Sequence, residues 1–203
     1  MTRLRDGSLD MRILLTGSPG IGKTTIIHRT LRDLGGIKCA GFYTEEKRDS
    51  GQRRGFWIRT LDGEEGTLAS IGYGRGPRMG RYLIHVEEFE RLVLSRINPE
   101  YSPAELYVID EIGKMELMSK RFREGVINLM ASRSNLLATV AKRGKGFLDQ
   151  LKERNDVELI ELRRENRDLL PKIISQKILR ELECMAPQQN LWMNFGSGRA
   201  PSV

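Results

Sequence analysis

"RILLTGSPGIGKTT", residues 12–25, runs a short apolar strand (12–16) straight into a glycine-rich loop. Gly17, Gly22, Lys23 and Thr24 fill the fixed positions of G-x-x-x-x-G-K-[ST], with Ser18, Pro19, Gly20 and Ile21 between them and Thr25 after. A chain that wraps a polyphosphate with its own N–H groups must approach closely and bend unusually, which Gly17, Gly20 and Gly22 permit. From Lys23 the pattern turns helical: Ile27, Leu31 and Leu34 share a face, and Gly35-Gly36 make a stop. The positive end of that helix points at the same anion. Lys23 then reaches the β- and γ-phosphates as a point charge, and the Thr24 hydroxyl is a Mg²⁺ ligand. A glycine turn without chemistry is the competing reading, and the strand–loop–helix setting disfavours it.

A second stretch, "LYVIDEIGKMEL" (106–117), sets two acids at the end of an apolar run. Leu106, Tyr107, Val108 and Ile109 read as a buried strand; Asp110 and Glu111 follow, then Ile112 and Gly113. Desolvating either acid costs several kcal/mol unless something compensates. Parallel strands present their C-terminal ends on one edge, where ligands bind. Asp110 therefore ends on the edge that carries the loop at 17–24, placed as the Walker B acid to hold Mg²⁺ directly or through water. Metal and Lys23 supply the missing positive charge. Glu111 is left to polarise a water at the γ-phosphate as general base. The competing reading for Glu111 is a solvated strand-end acid.

Between and beyond these stretches the chain is expected to form one domain over 11–183. Strands and turns fill 37–86, from "IKCAGFYT" through "GFWIRT" and "GTLAS" to "RYLIHV", and read as an antiparallel hairpin insertion. Helical spacing returns at Phe89, Leu92, Val93 and Ile97, and again through Phe122, Val126, Leu129 and Met130. A strand (135–140), a basic glycine loop, a short helix (147–154), a strand (157–162) and a helix from about Asn166 complete the pattern. This alternation predicts an α/β sandwich of three layers with a mainly parallel sheet. Residues 1–10 are expected to be a flexible leader, and 184–203, rich in Gly, Pro, Ser and amides, a disordered tail.

At 39% hydrophobic and 30% charged, the 203-residue chain sits in the globular class. No apolar run approaches the roughly 18 to 20 residues that span a bilayer, so no membrane association is expected. The cysteines, Cys39 and Cys184, lie far apart in no metal-ligand spacing, which suits a reducing cytoplasm. A net charge of +7 favours anionic partners, among them nucleotides and nucleic acid. Its densest clusters, "KRGK" (142–145) and "RGPRMGR" (75–81), come with no aromatic-rich RNA motif, and a solvated surface is the favoured reading. No heptad fixes an oligomeric state.

"GSPGIGKTT" (17–25), "GFYTEE" (41–46), "RRGFWI" (53–58), "LYVIDEIGKMEL" (106–117), "LLATV" (136–140), "LKERNDVELIEL" (151–162) and "ENRD" (165–168) together resemble the small nucleoside-triphosphatase family also called cancer-related nucleoside-triphosphatase. That family belongs to the additional-strand, catalytic-glutamate division of P-loop NTPases. The resemblance implies slow, Mg²⁺-dependent hydrolysis of ATP, GTP and other NTPs to NDPs, with broad base preference. It also implies a core sheet order of 5-1-4-3-2, with the strand at 136–140 between the phosphate-loop strand and the Asp110 strand. Thr139 then ends the central strand near the γ-phosphate, where it senses or orients the water; an ordinary β-branched strand residue is the alternative.

Lys142, Arg143 and Lys145 in "AKRGKG", and Arg53 in "QRRGF", are candidates for transition-state charge supplied in cis. For each of them a solvated loop residue is the favoured alternative. Asn166 is read as a cap of the last helix in preference to a base contact. His28 is read as a solvated helix residue. Three functions remain in order of preference: NTP hydrolysis with Glu111 as base, phosphoryl transfer by a nucleoside or nucleotide kinase, and a nucleotide-switched nucleic-acid-binding module.

Overall fold

The computed structural model describes residues 10–185. The expected leader, apart from Asp10, and the expected tail, apart from residues 184 and 185, lie outside the described residues; 184 and 185 close the last helix instead of opening a disordered tail. In chain order the first elements are β1 (Arg12–Thr16), α1 (Lys23–Leu34), β2 (Cys39–Asp49), β3 (Gln52–Thr60) and β4 (Glu65–Ile71). Then come β5 (Arg78–Met79), β6 (Tyr82–Ile84), α2 (Val86–Val93), β7 (Leu106–Ile112) and a 3₁₀ turn (Glu116–Met118). The last are α3 (Lys120–Ala131), β8 (Leu136–Val140), α4 (Phe147–Lys152), β9 (Glu158–Glu161) and α5 (Leu170–Met185).

The apolar pattern explains the layering. Side chains alternate across a strand, so Leu14 of β1 enters one apolar layer while Ile13 and Leu15 enter the other. In β7, Tyr107 and Ile109 take the first layer and Leu106 and Val108 the second. Strands buried on both faces need cover on both. Phe89 and Leu92 of α2, Phe122 and Val126 of α3, and Leu148 of α4 provide it on one side. Ile26 and Ile27 of α1 with Ile174 and Ile178 of α5 provide it on the other. Phe42, Phe89 and Phe122 meet edge to face at 5.0 to 5.9 Å between ring centroids. Such contacts add about 0.5–1.5 kcal/mol each to the burial itself.

The nine strands among the described residues form one sheet, in the order β5-β6-β4-β3-β2-β7-β8-β1-β9. The parallel part, β9-β1-β8-β7-β2, is 5-1-4-3-2 when its strands are counted along the chain, as the resemblance implies. β2 is at once the outermost parallel strand and the root of the antiparallel part. Its first half pairs with β7 as far as Tyr43 opposite Asp110; from Phe42 on it pairs with β3. Antiparallel pairing thus begins at Phe42, five residues into the stretch from 37, because the first half of β2 completes the core. Gly41 makes this possible. It sits at φ +124°, and a Cβ there would meet the Val108 carbonyl oxygen at 1.9 Å.

Two boundaries differ from the sequence pattern. Ile97 lies in turns after α2 yet is buried, its N–H bonded to the Val93 carbonyl. The last helix starts at Leu170 instead of near Asn166. The Asn166 side chain does not cap it: its oxygen accepts from the Arg163 N–H at 2.9 Å, and its amide donates to the Glu161 carbonyl at 3.0 Å. Asn166 fastens the loop after β9, in which residues 164–169 form turns.

Candidate active site

β1 ends at Thr16 and delivers the glycine loop to the start of α1. Gly22 caps the helix in a left-handed conformation (φ 111°) with no side-chain cap, so the first-turn N–H groups of α1 remain available to an anion. Ser18, Pro19 and Gly20 are exposed, while Gly17 is buried against the turn after β9. A Cβ on Gly17 would meet the Leu162 carbonyl oxygen at 3.1 Å. This position needs glycine for close packing, whereas Gly20 and Gly22 serve positive φ.

Asp110 ends the β7–β2 pairing beside this loop and is 1% exposed. The hydroxyl of Thr24 donates to one carboxylate oxygen at 2.5 Å, and that of Thr139 donates to the other at 2.5 Å. Burial pushes the Asp110 carboxyl up; the two hydroxyls, Lys23 and His28 oppose that rise. Glu111 is part-buried, and its carboxylate stands 3.2 Å from Lys23 Nζ. Burial raises it too, against the pull of Lys23, and Asp110 adds to the rise. In this arrangement Lys23 acts on both adjacent acids, but the main partner of each is different. Asp110 relies mainly on hydroxyls, and Glu111 relies on the loop lysine.

Thr139 is fully buried at the end of β8, between β1 and β7, with its hydroxyl turned to Asp110. Among the candidate cations, Lys142 bonds Glu161 at 2.7 Å, and its carbonyl accepts from Lys152. Arg53 bonds Glu46 on the adjacent strand. Arg143 and Lys145 are exposed in the loop before α4. His28, one turn along α1 from Thr24, is only part exposed and meets Tyr43 edge to face at 4.3 Å. This places it between α1 and β2, near Asp110, where helical spacing from Thr24 could have put it.

Sequence reasoning missed Glu116. It lies on the 3₁₀ turn after β7, is 6% exposed, and faces Glu111 and Asp110 across Gly113. A Cβ on Gly113 would meet a Glu116 oxygen at 2.8 Å and a Glu111 oxygen at 3.2 Å. Burial, with the two nearby acids adding to it, pushes the Glu116 carboxyl up to about 8, although backbone N–H groups of Gly113 and Glu116 itself oppose this. No periodicity marks it, because the turn belongs to neither helix nor strand.

The donor set around Thr24 and Asp110 suits Mg²⁺. One hydroxyl and one carboxylate, both hard oxygen donors, stand together, and a buried acid whose carboxyl is pushed up gains from a cation. Among the described residues no group of three or more His, Cys, Asp or Glu side chains forms a closed metal cage. A metal that keeps water and takes phosphate oxygens needs no such cage.

A family model described as NTPase matches residues 12–175. The nucleoside-triphosphatase THEP1 of Thermotoga sp. (strain RQ2) is 43% identical over 166 residues, covering 81% of this chain and 94% of the relative. The human cancer-related nucleoside-triphosphatase is 36% identical over 179 residues, covering 80% of this chain and 94% of the relative. Among solved structures, the crystal structure of THEP1 from the hyperthermophile Aquifex aeolicus superposes with a TM-score of 0.75 at 35% identity, covering 83% of this chain and 99% of that one. With a phosphate loop, an acid pair at the adjoining strand end and the 5-1-4-3-2 core, the chain belongs to this NTPase family of small P-loop proteins.

Proposed function

We propose that this protein hydrolyses nucleoside 5′-triphosphates to the diphosphate and inorganic phosphate, with water activated by Glu111. The observation that carries the reading is the Glu111 carboxylate at 3.2 Å from the phosphate-loop Lys23, at the start of α1 where no side chain caps the first-turn N–H groups. The relatives named nucleoside-triphosphatases support the reaction class.

Lys23 and the first-turn amides of α1 bind the β- and γ-phosphates; a triphosphate draws Lys23 off Glu111 and leaves that carboxylate free to accept a proton. A water between Glu111 and the γ-phosphorus loses its proton to the carboxylate as its oxygen bonds to phosphorus. The bond to the β–γ bridging oxygen breaks, and the electron pair leaves with the diphosphate. Burial serves this step, because it raises the proton affinity of Glu111 toward that useful in a general base. Thr24 and Asp110, in the Walker B position, would hold Mg²⁺, which when bound neutralises charge on the phosphate oxygens. Thr139 keeps Asp110 in the orientation for that task.

ATP and GTP are the proposed substrates, with weak selection of the base. Asn166 is committed to backbone partners and does not offer its amide to a base edge. Among the described residues no helix is long and apolar enough to cross a membrane. The free thiols of Cys39 and Cys184 suit a reducing compartment, and we place the reaction in the cytoplasm. Phosphate release from ATP and from GTP, with Mg²⁺ and with excess EDTA, tests the proposal. The expected result is turnover of both nucleotides that EDTA abolishes; tight nucleotide binding without phosphate release would refute it.

A further inference from the structure

Past Tyr43, β2 leaves β7 and continues to Asp49, about 20 Å beyond the level of Asp110 at ~3.3 Å per residue. With β3, β4, β5 and β6 it makes a wing that stands beside Glu111 on the catalytic edge. Charge is sorted along this wing. Its lower end, the β3–β4 turn, holds Asp62 and Glu64, both bonded to Arg96. Its far end gathers Lys47, Arg48, Arg53, Arg54, Arg78 and Arg81. Glu46 answers Arg48 and Arg53, and Asp49 answers Arg54.

Among the described residues, Lys47, Arg78 and Arg81 have no carboxylate within ion-pair distance. Arg78 donates to the Gly72 carbonyl, while Arg81 donates to the Arg53 carbonyl and the Tyr82 hydroxyl. Neutral acceptors hold these guanidinium groups in place without cancelling their charge, and each keeps further N–H donors. Aromatic rings lie among them. On one face of the wing Lys47 rests over Trp57 at 4.4 Å; on the other, Arg53 lies over Phe56 at 5.6 Å and Arg81 over Tyr82 at 5.3 Å, both rings part-buried against the core. Tyr73, on the loop from β4 to β5, is fully exposed.

We propose that this far end of the wing binds single-stranded nucleic acid beside the hydrolytic site. Cations that follow a phosphate backbone, interleaved with rings on which unpaired bases stack, are what such a strand requires. A lipid surface uses cations too, but it draws on an apolar helix face that enters the headgroup layer. The cationic end of the wing is built of strands and turns instead.

The test is fluorescence anisotropy of a labelled oligo-dT of about 20 nucleotides, titrated with the full chain across a range of salt. The expected dissociation constant is about 10⁻⁶ M at ~50 mM salt, weakening as salt rises. The double variant Arg78→Ala/Arg81→Ala should bind about tenfold or more weakly, with the salt slope reduced by about 1.4. Tyr73→Ala should weaken binding about fivefold or more. A control, Arg32→Ala/Arg133→Ala, removes the same charge at the opposite edge, where α1 ends and β8 begins; it should leave affinity within about twofold. Phosphate release without oligonucleotide should be unaltered in every variant, which shows that each is folded. Any of four results would overturn the proposal: no anisotropy change at low salt, equal loss in the two double variants, a duplex bound as tightly as the single strand, or binding to phosphatidylserine vesicles in place of the oligonucleotide.

Discussion

Replacing Glu116 by glutamine should make stability less dependent on pH, so that the variant gains on the parent as pH rises. Glu116 is nearly inaccessible, faces two other acids, and has its carboxyl pushed up to about 8 from the ordinary 4.5. Between those values the folded protein keeps a proton that the unfolded chain has released. Stability therefore falls as pH rises through that window, by about 1.4 kcal/mol per pH unit, and the loss is complete above the folded value. Between pH 6 and pH 9 the decline assignable to Glu116 is about 3 kcal/mol. Glutamine has the size of the protonated acid and does not titrate. Any fixed packing or hydrogen-bond difference between the two side chains shifts all pH values alike and drops out of the comparison. The assay is urea unfolding of parent and Glu116→Gln at several pH values from 6 to 9, without metal or nucleotide. A stability gap that widens by about 3 kcal/mol over this range is expected. A gap that stays constant within about 0.5 kcal/mol would show that Glu116 ionises freely in the folded protein, and would refute the argument.

Thr139→Val keeps the shape at the end of β8 but removes one donor from buried Asp110. It should cost about 1–3 kcal/mol in urea unfolding, and raise the Mg²⁺ concentration needed for half-maximal phosphate release about tenfold. Gly41→Ala drives a Cβ into the Val108 carbonyl and breaks the β2–β7 register; a fall in Tm of at least about 6 °C is expected, and an unchanged Tm would contradict the register. Lys23→Met removes the cation that answers Glu111 at 3.2 Å. Nucleotide affinity by isothermal calorimetry should drop about tenfold or more, because a hydrogen bond to a charged phosphate is worth about 1.5–3 kcal/mol.

What the sequence made legible was what lies close along the chain. The phosphate loop is consecutive, and its glycines, Lys23 and Thr24 can be read without knowing any neighbour. Asp110 was legible because an apolar strand must end at an edge, and parallel strands share that edge. The contact from Thr139 to Asp110 spans 29 positions and depends on β8 lying next to β7, which residue patterning does not state. The family resemblance supplied that order. Partners of exposed charges were beyond reach: Lys142 meets Glu161 only because β9 returns beside β1. Helical periodicity also carried the last helix too far toward Asn166, since an Asx side chain that satisfies loop backbone looks in sequence like one that caps a helix. The double role of β2 was hidden for a different reason. A strand that pairs parallel on one side and antiparallel on the other has the same alternation as either alone.

On the proposed mechanism the acids at 110 and 111 divide their work, one holding the metal and the other taking the proton from water. Single-turnover phosphate release by Glu111→Gln, with nucleotide binding measured in the same preparation, tests it most directly. Affinity within about threefold of the parent, or tighter because Lys23 is freed for phosphate, is expected, with hydrolysis slowed at least about a hundredfold. Hydrolysis at the parental rate with full binding would contradict it, and would leave Glu111 as no more than the resting partner of Lys23.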